Sequence, residues 1–280
     1  MAENLGENAK NMRSRVFKHM LKTRGWKYRA FLRYLRFFKY VSFSPTRGDF
    51  LESYYTLMRY LDDIVDGDAP LPLGYLDTVN FLKEKIQFSE NPDNPKDEVD
   101  FLMLHCFNLA KRFHEDFQLE TKDILYSLLF DANRKGKGII FPEKELMRHF
   151  HLMDVRGTIK ATLKIFKEDP EKYKLLKPLG IATRYQFDLE DFEADIKAGY
   201  VNITKEECLM FGIETADLHN SQSSCIKKWF KYRAEQGLNL LEEHHQILPE
   251  GRFSLLTRAT FPIVYEFPAR KFFRKVLREK

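Results

Sequence analysis

The stretch Tyr55-Thr-Leu-Met-Arg59-Tyr-Leu-Asp62-Asp63-Ile-Val-Asp66 decides how this chain is read. Counted from Tyr55, the polar residues Arg59, Asp62, Asp63 and Asp66 stand at +4, +7, +8 and +11. On a helix of 3.6 residues per turn these positions share one face. The residues between them, Leu57, Met58, Leu61, Ile64 and Val65, are apolar, so the spacing predicts a mostly buried helix. Asp62 and Asp66 are then neighbours one turn apart, and like charges at that spacing repel by a few tenths of a kcal/mol. A carboxylate pair on such a helix needs a cation, a basic partner or a water-filled cleft.

A second acidic face follows from Arg184, Asp188, Asp191 and Asp195, at offsets 0, +4, +7 and +11. Two carboxylates again sit one turn apart, Asp191 and Asp195, with Asp188 beside them. Two aspartate ledges facing each other across a cavity would suit hard cations. Mg²⁺ takes oxygen ligands and is usually held by one or two carboxylates plus substrate phosphates. Arg59 is placed to meet a phosphate directly. A diphosphate held in this way becomes a leaving group, because the charge developing on it is stabilised. The carbocation left behind needs a dry wall of aromatic faces, and the chain carries 25 Phe and 13 Tyr.

Outward from these faces the periodicity is helical, with no convincing alternating strand pattern. Residues 10–22 and 26–38 read as two basic amphipathic segments broken at Gly25. Ser42–Gly48 carries turn signals, and 49–66 reads as one helix ended by Gly67 and Pro70. Further helices are expected over 75–88, 98–117 and 121–134, then over 143–167 as two helices or one bent one. Residues 178–198 read as a helix ending at Gly199. The last long helices are 221–247 and 252–280, the second interrupted by Pro262 and Pro268.

Composition bounds the function classes. The 280 residues are 44% hydrophobic, too many for a disordered chain, and 13 Gly with 11 Pro disfavour a fold built of many tight turns. The three cysteines lie far apart and form neither a metal-spaced pair nor a disulfide framework, which suggests a reducing compartment. No apolar run suits a bilayer-spanning helix, and the N-terminus does not read as a secretory signal. Net charge is +5, but residues 1–40 carry +9 and residues 266–280 carry +4, leaving the body at −8. The basic ends, interleaved with Trp26, Tyr28, Phe31, Phe37, Phe272 and Phe273, suit an anionic membrane surface. The acidic body argues against nucleic acid. His149 and His151, like His244 and His245, are spaced poorly for shared ligation and are read as surface or satisfied histidines. No phosphate-binding loop, dinucleotide fingerprint or nucleophile elbow is present.

At its aspartate faces the chain resembles the squalene/phytoene synthase family, which joins two prenyl diphosphates head to head. The family's first motif, Y-x-x-x-R-x-x-D-D-x-x-D, is matched at every fixed position by residues 55–66. Its second, D-x-x-x-D followed by a basic stretch and Gly, is similar to Asp191, Asp195, Lys197 and Gly199. Ser42-Phe43 looks like the Ser-Phe pair before the first motif, and Leu248-Pro249, Arg252 and Tyr265 resemble the last helix pair. The resemblance covers about residues 40–270.

The resemblance implies an all-α, isoprenoid-synthase-like helical bundle around a central cavity, with a basic segment at 1–40 and a catalytic domain at 41–280. It implies two or three Mg²⁺ ions held among Asp62, Asp63, Asp66, Asp188, Asp191 and Asp195. Asp62, Asp66, Asp191, Asp195 and Tyr55 would be catalytic. Ser42, Phe43, Arg47, Arg59, Arg184, Lys160 and Tyr265 would contact substrate. Ionisation would give an allylic cation that the second prenyl double bond attacks. NADPH use, known in squalene synthases, has no sign in this sequence. The expected location is cytoplasmic, with peripheral contact at a membrane.

The chain also departs from the family pattern. Arg184, Phe187 and Glu190 stand where Gln, Asn and Arg are usual, and Tyr200 and Asn202 replace Arg and Tyr after Gly199. Arg156 and Lys160 replace small residues that leave room for prenyl chains. These exchanges keep two other readings open: a terpene cyclase acting on one diphosphate, and a non-catalytic, membrane-associated family member.

Overall fold

The helix boundaries follow local chemistry at each end. The computed structural model describes residues 2–23, 25–42 and 44–278, without the side chains of residues 2–4, 23, 25–28 and 30. It divides into two compact units, residues 1–132 and 133–280. Among the described residues no strand forms; an isolated parallel bridge joins Ile139 to Tyr200. None of the described helices is long and apolar enough to cross a membrane.

The first unit holds α1 (Ala2–Thr23), α2 (Gly25–Val41), α3 (Pro45–Asp66), α4 (Thr78–Glu90), α5 (Glu98–Lys111) and most of α6 (Gln118–Arg134). Helix α3 starts four residues before the expected position. Pro45 sits in its first turn, where a fixed φ is pre-organised and a missing N–H costs nothing, so the expected turn at Ser42–Gly48 is helical from residue 45. It stops at Gly67, whose left-handed φ of 83° lets its N–H reach the carbonyl of Ile64. Asp77 and Asp97 cap α4 and α5 by accepting from backbone N–H groups of their first turns.

The N-terminal helices are part of the core of this unit. Helix α1 buries Leu5, Ala9, Met12, Val16 and Met20, spaced by threes and fours, together with Phe17, against α3 and α5. Helix α2 packs on α3 through Leu32, Leu35 and Phe38. Both are tied to one buried carboxylate on α3. Glu52, 2% exposed, accepts from Arg13 Nη1 at 2.8 Å and lies 3.1 Å from Lys39 Nζ and 3.7 Å from Arg36 Nε.

In the second unit, α7 (Glu143–Phe150), a π-helix (His151–Ile159) and α8 (Lys160–Ile165) run on as one continuous stretch rather than two separate helices. Helices α9 (Lys177–Glu190), α10 (Phe192–Ala198), α11 (Lys205–Phe211) and α12 (Ser224–Ile247) follow, then α13 (Leu255–Phe261), a second π-helix (Pro262–Glu266) and α14 (Phe267–Arg278). Two expectations need correction. The 178–198 helix is broken at Asp191, which lies outside both α9 and α10. The prolines do not interrupt the last helix: Pro262 opens the π turn, whose wider ring tolerates a missing donor, and the helical path continues into α14. Helix α12 packs along α9 and α14, and Gly237 permits the ring of Phe273 to lie against its Cα.

Candidate active site

On α3 the predicted face forms as a register of helical neighbours. Arg59 Nη1 lies 2.6 Å from Asp62 Oδ2, and its Nε donates to Asp63 Oδ1 at 2.7 Å. The side chain of Asp63 is buried, whereas that of Asp62 is about one-third exposed and Asp66 is exposed at the helix end. Arg59 therefore holds both upper carboxylates in place, and the two that reach solvent are Asp62 and Asp66. Tyr55 packs edge-on against Phe31, with ring centroids 4.9 Å apart. Arg47, in the first turn of α3, is buried with its guanidinium over the ring of Phe113 at 4.4 Å. Burial lowers its pKa, against the attraction of Glu115. Ser42 is half-buried near the start of α3, and Phe43 lies outside the described residues.

In the second unit the acidic face is split by the bend at Asp191. Arg184 Nε donates to Asp188 Oδ1 at 2.8 Å and its guanidinium lies over Phe150 at 5.0 Å. Asp188 is 2% exposed, and its Oδ2 makes no hydrogen bond. Burial raises its pKa, opposed by Arg184, Arg233 and Arg134. One helical break later, Asp195 is half-buried. Burial pushes its pKa up to about 7; Arg184 opposes the shift, and the charges of Asp188 and Asp191 add to it. Asp191 itself is exposed and borders an open groove of about 580 Å³ shared with Glu190, Glu193, Phe230, Lys227 and Lys231.

Three residues absent from the sequence-based set build this end of the site. Asn202 Nδ2 donates to Asp195 Oδ2 at 2.9 Å, and Arg134 Nη1 donates to Asn202 Oδ1 at 2.8 Å and to the carbonyl of Val201 at 3.2 Å. Arg134 thus orients the amide that orients the carboxylate. Arg233, buried on α12, is paired with Glu207 through Nε at 2.5 Å and Nη2 at 2.6 Å, and stacks over Tyr185 at 4.2 Å. Asn202 carried one signal: it replaces a family tyrosine just after Gly199. Arg134 and Arg233 lie 61 and 38 residues from Asp195 in the chain and carried none.

The glycine of the second motif has a steric cause. Gly199 adopts φ +80°, and a Cβ there would come within 2.5 Å of the Gly136 Cα. The 135–138 loop lies that close because Gly136 N–H bonds Ala198 O and Gly138 N–H bonds Gly199 O. Only glycine serves at a left-handed position with backbone on its open side.

Other predicted contacts have partners within their own unit. Lys160 Nζ lies 3.6 Å from Glu171 Oε1 and over the ring of Tyr173 at 5.4 Å. Tyr265 stacks on Phe261 at 5.6 Å. Phe187, where the family has Asn, is exposed. His244 departs from the expectation of a satisfied histidine: it is fully buried on α12, with no hydrogen bond at either ring nitrogen. Among the described residues no three His, Cys, Asp or Glu side chains gather as a ready metal cluster. The fit to Mg²⁺ therefore rests on carboxylate pairs. In the first unit the solvent-reaching Asp62 and Asp66, and in the second the exposed Asp191 with half-buried Asp195, are each a pair that suits an ion completing its shell with phosphate and water.

Comparison with solved structures places this architecture. The fold is similar to that of squalene synthase HpnC from Alicyclobacillus acidocaldarius, with a TM-score of 0.70 over 96% of this chain and 94% of that one, at 11% identity. It is also similar to a dehydrosqualene synthase solved in complex with ligand, with a TM-score of 0.61 over 88% and 80%, at 18% identity. No protein-family model and no curated protein matches the sequence. At these identities the shared property is the fold, and it is the all-α isoprenoid-synthase-like fold expected from the resemblance to squalene/phytoene synthases.

Proposed function

We propose that this chain is a Mg²⁺-dependent prenyltransferase of the squalene/phytoene synthase type, joining two prenyl diphosphates head to head with release of diphosphate. The observation that carries this reading is the complete Tyr55–Asp66 motif, set on a helix of a chain with the fold of a squalene synthase. Asp62 and Asp66 would hold metal from α3, and Asp191 and Asp195 from the second unit, with Asp63 and Asp188 in lesser roles. When bound, Mg²⁺ neutralises the diphosphate and makes it a better leaving group. Arg59 fixes the rotamers of Asp62 and Asp63, and Arg134 with Asn202 does the same for Asp195. Arg47, Arg184 and Ser42 are the proposed diphosphate contacts. The basic C-terminal end would rest on a membrane that takes up the lipid-soluble product.

The test is diphosphate release from farnesyl and geranylgeranyl diphosphate with Mg²⁺, with product mass read alongside. Joined chains with twice the carbon count are expected. Release with a product of one chain's carbon count would move the assignment to a single-substrate cyclase, and no release from either substrate overturns both.

One observation favours a non-catalytic reading: Arg59 is engaged by Asp62 and Asp63 of its own helix, an arrangement that a purely structural role also explains. On that reading, Asp62→Ala combined with Asp191→Ala leaves cellular function intact. A rise in melting temperature with Mg²⁺ and a prenyl diphosphate together, lost in the double variant, decides for the enzyme.

A further inference from the structure

The helical path from Leu255 to Arg278 carries an unusual outer face. Leu255, Ala259, Ile263, Phe267, Lys271, Arg274 and Arg278 are all exposed, Leu255 by 83%, Ile263 by 62% and Phe267 by 59%. They follow each other at steps of four, four, four, four, three and four residues. In an unbroken α-helix, steps of four drift around the axis. The π turn at Pro262–Glu266 widens one turn and holds Ile263 and Phe267 in line with the residues on either side. The outcome is a single stripe, apolar in its first half and cationic in its second. The only carboxylate between residues 255 and 278 is Glu266, which is buried and bonded to Arg270 at 2.8 Å.

We infer that this face docks on the surface of an anionic phospholipid bilayer, with Phe267 and Ile263 entering the headgroup layer and Lys271, Arg274 and Arg278 meeting the lipid phosphates. Exposed aliphatic and aromatic side chains beside a carboxylate-free basic stretch match such a surface in both chemistry and charge. The N-terminal helices match it less well. Their cations Arg13, Arg15, Arg36 and Lys39 are drawn onto Asp49, Glu52 and Glu98 of their own unit. A second copy of the chain would set cations against cations wherever the two basic halves met. The inference deepens the membrane part of the proposed function and names the surface. It can fail while turnover in detergent persists, so the two failures are distinguishable.

The experiment is co-sedimentation of the full chain with phosphatidylcholine vesicles and with vesicles containing one-third phosphatidylglycerol. Binding is expected to the anionic vesicles only and to weaken with salt. The pair Lys271→Glu and Arg274→Glu should reduce it roughly tenfold or more, as should Ile263→Ser with Phe267→Ser. Reversal of the exposed α1 pair, Lys18→Glu with Lys22→Glu, should change it less than twofold. A second readout uses Phe267→Trp, whose added emission should be quenched by brominated anionic lipid. The inference is overturned if the α1 pair abolishes binding while the α14 pair does not, or if Phe267→Trp is not quenched. It is equally overturned if the stripe variants dissolve a dimer in a chain that ignores vesicles.

Discussion

Within the first acidic face, adjacent residues have separable roles. Asp63 is buried and bonded to Arg59, whereas Asp66 is exposed at the end of α3. Arg59→Met takes a cationic partner from a buried carboxylate, and loss of one partner of such a pair costs about 3 kcal/mol. A clear fall in the urea midpoint, with an unchanged slope, is the expected result. Asp66→Asn removes an exposed charge and should leave the midpoint nearly unmoved. On the proposed function it should nevertheless reduce diphosphate release by about a hundredfold, the order of effect seen when a group stabilising transition-state charge is lost. A midpoint that moves equally in both variants would mean that the face is structural throughout. The Y-x-x-x-R-x-x-D-D-x-x-D spacing was legible in the sequence because it is a property of one helix. The Arg134–Asn202–Asp195 chain was not, because it is closed by a loop meeting a distant helix end.

At the scale of elements, the second motif depends on a break that periodicity does not show. Offsets of +7 and +11 presume an unbroken helix, and Asp191 stands at a bend between α9 and α10. The end of α10 just after Asp195 is held instead by the fit of Gly199 against Gly136. Gly199→Ala adds both a left-handed strain and a collision, so it should lower the melting temperature by several degrees and disturb Asp195. Gly212→Ala, left-handed with nothing within 4 Å, supplies the control, since it carries the strain without the collision. Similar losses in the two variants would rule out the close approach as the cause.

Helix α12 carries a different liability in His244. Burial lowers its pKa to about 4; Glu266 opposes the shift, and His245 and Arg270 add to it. Its folded pKa lies below the unfolded value of 6.5, so protonation favours the unfolded chain. The stability of the neutral form is fully present above pH 6.5 and is lost as pH falls toward 4. In His244→Phe the urea midpoint should decline less between pH 6.5 and 4 than in the parent; parallel curves would remove His244 from the account.

For the whole molecule, charge segregation acquires a structural meaning. The basic N-terminal segment supplies α1 and α2, two core helices of the first unit, anchored where Arg13, Arg36 and Lys39 converge on Glu52. Glu52→Ala removes the buried carboxylate and leaves Arg13 and Lys39 to Asp49, and should destabilise the chain by roughly 1–3 kcal/mol. Early proteolytic cleavage within α1 or α2 is the accompanying sign. If α1 remains as protected as in the parent, the apolar faces of α1 and α2 suffice without the ion cluster.

The amino-acid order alone determined that the chain is helical, where its first acidic face lies and that its ends are basic. Periodicity, capping residues and charge runs are local, and each is written within a few consecutive turns. Tertiary structure alone decided which cations are held by carboxylates, that burial raises the pKa of Asp195, and that Ile263 and Phe267 share an outer stripe with the last basic turns. Those outcomes depend on burial and on groups brought together across tens of residues. Desolvation and close packing act only once the chain has closed on itself.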